Sequence, residues 1–121
     1  MAIRSFLDLE VYKESFQLSL EVDNLLRIFP ACEKFLLIDQ SSRASRSIPA
    51  QIAEGYSKRT SIKEFRRFLT GALAESNEMI NHLSFAKAKK YITSEKADDL
   101  INRYHIVGKK LSKLIQNWKN Y

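Results

Sequence analysis

Apolar positions recur every three or four residues along four stretches of the chain, and no stretch alternates apolar and polar residues as a strand does. From about Asp8 to Phe29, the positions Val11, Ser15, Leu18, Val22, Leu25 and Phe29 fall on one helix face. Asp8 or Ser5 can cap its start, and Pro30 limits its end because the residue before a proline avoids the α region. From about Glu33 to Glu54, Leu37, Ser41, Ala44, Ile48 and Ile52 mark a second face. Its middle is small, which lets a neighbouring helix come close. Pro49 falls inside this stretch and removes one backbone donor. The period continues through it, so the pattern predicts one kinked helix, with Gly55 as the residue just past its end.

The third stretch is the clearest. Ser61 followed by Glu64 reads as a capping box, and Ile62, Phe65, Leu69, Ala72, Ser76, Met79, Leu83 and Ala86 then alternate three and four. The fourth starts near Thr93 or Ser94 and keeps the same alternation through Ala97, Leu100, Tyr104, Val107, Leu111, Leu114 and Trp118. Glu95, Asp98 and Asp99 near its start and Lys109, Lys110, Lys113 and Lys119 in its later half suit the helix dipole. Four such helices with short connections predict an all-α, antiparallel up-down four-helix bundle. The three-four spacing favours left-handed packing.

Composition narrows this further. A chain of 121 residues corresponds to one domain, residues 1–121. Only three Gly and two Pro are present, against roughly eight and six at average usage. An all-β fold needs a turn every few residues, so it is nearly excluded. The single cysteine, Cys32, excludes an intramolecular disulfide framework and a cysteine zinc cluster. The opening MAIRSFLDLEVYKESF lacks the apolar core and cleavage site of a secretory signal peptide. No stretch is apolar enough to span a membrane. A cytoplasmic location is expected.

Catalytic signals are weak. Glu75, Glu78 and His82 project to one side of the third helix and are the one arrangement suggesting a metal. The spacing is Glu-x-x-x-His, whereas di-iron bundles need Glu-x-x-His on each of two helices. A polar helix flank is the plainer reading. His105 has no carboxylate one turn away. Cys32 has no evident base, as a nucleophile requires, and is expected to be a partly buried structural thiol. The glycines, Gly55, Gly71 and Gly108, form no phosphate-cradling loop. Serines 41, 42, 45 and 47 are expected to permit close helix approach and to satisfy carbonyls near Pro49. No enzymatic activity, cofactor or resident metal is expected.

Charge is more informative. The net charge is +6, and it is unevenly placed: residues 34–67 and 86–121 are basic, whereas 1–33 and 68–85 are acidic. Nucleic acid is the first partner class for such a chain. Arg43 and Arg46 lie on the second helix, Lys58 and Arg59 in the turn, and Lys63, Arg66 and Arg67 on the third. A hairpin folding near residue 58 is expected to bring Arg46 near Arg66 and Arg67 in one basic strip. Arginine predominates, which suits bidentate phosphate contacts. The plainer alternative is pairing with Glu54 and Glu64, or a solvated face. Lys109, Lys110 and Lys113 form a second, looser patch. Tyr56, Phe65 and Phe68 could stack on bases, although their helical spacing favours core or subunit-interface positions.

The run Ser47-Ile-Pro-Ala-Gln-Ile-Ala-Glu-Gly-Tyr56, then Lys58-Arg59 and Lys63-Glu-Phe-Arg-Arg-Phe-Leu69, resembles a known family. It is similar to the four-helix bundle proteins encoded in intervening sequences of bacterial 23S rRNA genes, often labelled S23 ribosomal protein. The accessory proteins of diversity-generating retroelements are similar to these. The resemblance extends from about Leu9-Glu-Val-Tyr-Lys13 to about Tyr91; the fourth helix matches only in its apolar spacing. Gln51 stands where the family usually has Asn, and Ala74-Glu75 where it commonly has Gly-Ser. Glu78 falls on its usual acidic position. The resemblance implies a ring-shaped homopentamer. It also implies, by way of the retroelement relatives, a basic surface that binds nucleic acid and a reverse transcriptase. Carried over, the implied binding residues are Arg43, Arg46, Lys58, Arg59, Lys63, Arg66 and Arg67. The alternative is a protein-interaction scaffold or accessory subunit, with its acidic first helix facing a basic partner.

Overall fold

The computed structural model describes residues 2–118. Lys119, expected to favour the end of the last helix, lies outside them. Among the described residues there are four α-helices and no strands: α1 (Glu10–Leu26), α2 (Leu37–Ser57), α3 (Ile62–Ala88) and α4 (Ser94–Asn117). Short 3-10 turns at Phe6–Asp8 and Ala31–Glu33 precede α1 and α2. Each helix packs on the next and α4 also packs on α1, a pattern consistent with an up-down bundle.

The predicted apolar faces form the core. Every position named on them is buried except Leu25, Ile62 and Leu114, which are half-buried at the margins. Phe65, Leu69, Met79, Leu100, Tyr104, Val107 and Leu111 are fully enclosed, facing Leu18 and Val22 of α1 and Ile48 and Ile52 of α2. Burial of each large side chain contributes about 1.5–3 kcal/mol. Buried serines satisfy their hydroxyls on their own helices. Ser15 donates to the Tyr12 carbonyl at 3.2 Å and Ser76 to that of Ala72 at 3.1 Å.

Helix boundaries differ from the sequence expectation for local reasons. Ser5 and Asp8 do act as caps, but on the 3-10 turn. Asp8 accepts from the Arg4 and Ser5 amides at 2.7 and 3.2 Å, which holds its carboxyl below the usual range. α1 therefore starts at Glu10 without a side-chain cap. α2 starts at Leu37, not near Glu33, because Leu36 leaves the helical region (φ −120°, ψ −101°). Glu33 accepts from the Leu37 amide and also braces the opposite connection, accepting from the Tyr91 hydroxyl at 2.8 Å with Lys89 Nζ at 3.7 Å. Cys32, on the same turn, is exposed rather than partly buried.

α2 runs unbroken through Pro49. Gly55 is not the residue past its end but lies inside it, with ordinary negative φ. Its role is spatial: a Cβ there would stand 2.6 Å from Phe68 Cβ on α3. At the start of α3, half of the capping box forms. Ser61 Oγ accepts from the Glu64 amide at 3.2 Å, while the Ser61 amide donates to the Lys58 carbonyl at 3.0 Å. Thr93 caps α4 through the Lys96 amide at 3.1 Å. The chain reverses between α3 and α4 at Lys90, whose φ is 61°, with the Tyr91 amide bonded to the Ala86 carbonyl.

Candidate nucleic-acid interface

The α2–α3 turn collects five of the seven candidate cations: Lys58, Arg59, Lys63, Arg66 and Arg67. Beneath them lies an aromatic floor. The rings of Tyr56, Phe65 and Trp118 meet edge-on, with centroids 4.8–6.3 Å apart. Tyr56 and Phe65 are therefore core residues and offer no face to a base. The Arg59 guanidinium lies 4.2 Å from the Tyr56 ring centroid, and its Nη1 donates to the Tyr56 carbonyl at 3.1 Å. The same carbonyl accepts from the Arg59 amide at 3.2 Å, so Arg59 closes the end of α2 with both its backbone and its side chain. Phe68 is half-buried, with Lys58 Nζ 4.9 Å and the Arg67 guanidinium 4.6 Å from its centroid. These contacts hold three cations in place through ring quadrupoles.

Glu64 lies within this cluster, pairing with Arg67 and feeling the charges of Lys58 and Lys63 at longer range. Arg67 pairs with Glu64 at 3.1 Å, which lowers the Glu64 carboxyl and raises the Arg67 guanidinium. Lys58, Arg59, Lys63 and Arg66 form no ion pair with a described residue. Lys63 also sits in the first turn of α3, at the positive end of the helix dipole. A cation there is disfavoured by about 0.3–1 kcal/mol.

Arg43 and Arg46 are placed elsewhere. The close approaches of Gly55 to Phe68 and of Gly71 to Gln51 set how α2 lies along α3. By that register Arg46 is level with about residue 76, roughly 15 Å along the axis from Arg66. The expected strip is thus divided: an α-helical hairpin brings together residues equidistant from its turn, and Arg46 and Arg66 are not. Arg46 turns toward α1 and pairs with Asp23 at 2.8 Å. Arg43 pairs with Asp39, one turn back, at 3.1 Å. Both side chains remain 68–80% exposed, so these pairs are solvent-screened. The Asp39–Arg43 pairing was available in the sequence as an i,i+4 match. Asp23 carried no local signal.

Glu75, Glu78 and His82 do not converge on one point. His82 is buried, with Nε2 3.4 Å from Glu78. No group of three or more His, Cys, Asp or Glu among the described residues converges to hold an ion. Burial raises the Glu75 carboxyl, with the Glu78 charge adding to the effect. No described helix is long and apolar enough to cross a membrane.

Such a bundle, with a cationic turn over an aromatic floor, is a helical domain of the kind that the central Ser47–Leu69 run suggested. Residues 7–113 match the 23S rRNA-intervening sequence protein family, and the chain belongs to that family. A solved structure from Bacteroides thetaiotaomicron, described as a protein of unknown function from the S23 ribosomal protein family, is similar. It shares 28% identity and a TM-score of 0.80, over 88% of this chain and 96% of that one. No curated protein matches.

Proposed function

We propose that the protein is a non-enzymatic, self-assembling bundle, its helices antiparallel and left-handed in their packing, that binds RNA or DNA through phosphate contacts at the α2–α3 turn. The observation that carries this reading is the set of cations there, Lys58, Arg59, Lys63 and Arg66, that form no ion pair within 4 Å with a described residue. Charged groups gathered at one end without compensation cost stability, and a polyanion offsets that cost on binding. Membership of a family named for a 23S rRNA intervening sequence supports the same partner class. The assembly proposed is a homopentamer, and the location cytoplasmic.

A labelled RNA hairpin and a matching DNA duplex, titrated across a salt series, test it. Affinity is expected to fall steeply with salt. The Lys58→Glu, Arg59→Glu, Lys63→Glu combination is expected to reduce the log–log slope by about two to three. A flat response from the unsubstituted protein overturns the reading.

A second reading, a scaffold or accessory subunit for a protein such as a reverse transcriptase, is favoured by one observation. Ile28, Phe35, Leu36 and Phe85 are large apolar residues left exposed, Phe35 by 81%. A protein complex that survives nuclease treatment supports it, and one that collapses counts against it.

A further inference from the structure

Two of the α4 lysines, Lys109 and Lys113, border a groove of about 390 Å³ between α3 and α4, walled by these two with His105, Ser112 and Gln116 on one side and Asn77 on the other. Three features set this groove apart. Its lining contains no carboxylate, whereas the α1–α2 groove contains Asp23 and those beside α1 and α4 contain Glu14, Asp8 and Glu10. Lys109 and Lys113 form no ion pair with a described residue, although Lys110 between them pairs with Glu14 at 2.9 Å. Gly108 lies in the lining, so the α4 backbone is open to the groove where a side chain would narrow it.

Arg66 extends the same feature. Leu73 and Asn77 line the groove from α3, and Arg66 lies seven and eleven residues before them. At 3.6 residues per turn, that places it on the same stripe of the helix. Gly108 stands opposite Leu73, so Arg66 is level with about residue 115 of α4, within one turn of Lys113. Arg66 thus belongs both to the turn cluster and to the mouth of the groove.

We propose that the α3–α4 groove is a phosphate track for the nucleic-acid backbone, entered at Arg66 and continued by Lys113 and Lys109, with Asn77, Ser112 and Gln116 as neutral hydrogen-bonding groups along it. The ligand class is the phosphodiester chain of RNA or DNA. The lysines there contact phosphate rather than base, so their contribution is expected to be independent of base sequence. The inference rests on the nucleic-acid reading above and adds a path to it.

The experiment compares two variants of the full chain against the same RNA hairpin over a salt series. Lys109→Gln with Lys113→Gln removes the groove charges and keeps the side-chain stems. Neither lysine has an ion pair with a described residue to lose, so the melting temperature is expected to stay unchanged. Binding is expected to weaken at every salt concentration, with the log–log slope reduced by about two. Arg66→Gln alone is expected to reduce it by about one. An unchanged slope in the double variant, with the turn variant still defective, overturns the groove and leaves the turn reading standing. No salt-sensitive binding by the unsubstituted protein overturns both.

Discussion

At the scale of single residues, one carboxyl among the described residues, Glu75, is in an unfavourable setting. Glu75 sits on α3 partly withdrawn from water, and burial raises its carboxyl above the ordinary value, with Glu78 adding repulsion. A raised carboxyl favours the protonated form in the folded state. Its contribution to stability is therefore present below the unfolded pKa and lost as pH rises through the folded one. Glu75→Gln keeps the shape and removes the charge. It is expected to raise the melting temperature at neutral pH and to change nothing near pH 3. Equal stabilisation at both pH values would show that charge burial is not the cause. Glu21 has the opposite sign. Arg103 holds its carboxyl low across the α1–α4 seam, aided by the Lys96 charge. That contribution is present above the unfolded pKa and is lost as pH falls through the folded one. Acid should therefore weaken the α1–α4 seam while relieving Glu75.

At the scale of elements, two glycines of similar appearance in the sequence have different reasons to be there. Gly55 of α2 faces α3 at a distance where a methyl group would meet Phe68 Cβ at 2.6 Å and Phe65 at 3.2 Å. Neither neighbour can yield without moving the helix. Gly108 of α4 would place a Cβ 3.4 Å from Leu73 Cδ1, an ordinary contact. Gly55→Ala is expected to destabilise by about 1–3 kcal/mol through overpacking. Gly108→Ala is expected to stabilise by about 0.5–1 kcal/mol through helix propensity. Urea unfolding of both variants checks the contrast. Changes of the same sign would mean that propensity or packing alone governs both positions. The periodic faces of all four helices were legible in the sequence because burial imposes a repeat on every turn. Gly55 was not, since a glycine near a helix end reads as a terminator unless the opposing helix is known. Nor was the late start of α2, because Glu33 is held by Tyr91 across the bundle as well as by the Leu37 amide, and the first of these has no local signal.

At the scale of the whole molecule, the two ends differ in chemistry. One end carries the α2–α3 turn and its cations. The other carries the α1–α2 connection, where Ile28, Phe35 and Leu36 are exposed, together with Phe85 near the end of α3. The basic residues lie on the elements the sequence assigned, but Arg43 and Arg46 pair with Asp39 and Asp23, away from Arg66 and the α2–α3 turn. Chain proximity to a turn says little about which face of a helix a residue shares. If the proposed self-association uses the apolar end, the cationic ends of several copies are left free to act together on one polyanion, which raises avidity without new contacts. Light scattering is expected to give a mass well above the 14.1 kDa of one chain. Phe35→Glu with Leu36→Glu is expected to shift it toward the monomer while leaving helicity intact, because neither side chain enters the core. The same variant should bind a short RNA hairpin through the turn of each copy but lose the added affinity for a long RNA. A monomeric unsubstituted protein defeats the assembly, and an unchanged oligomer in the double variant moves its interface to another face.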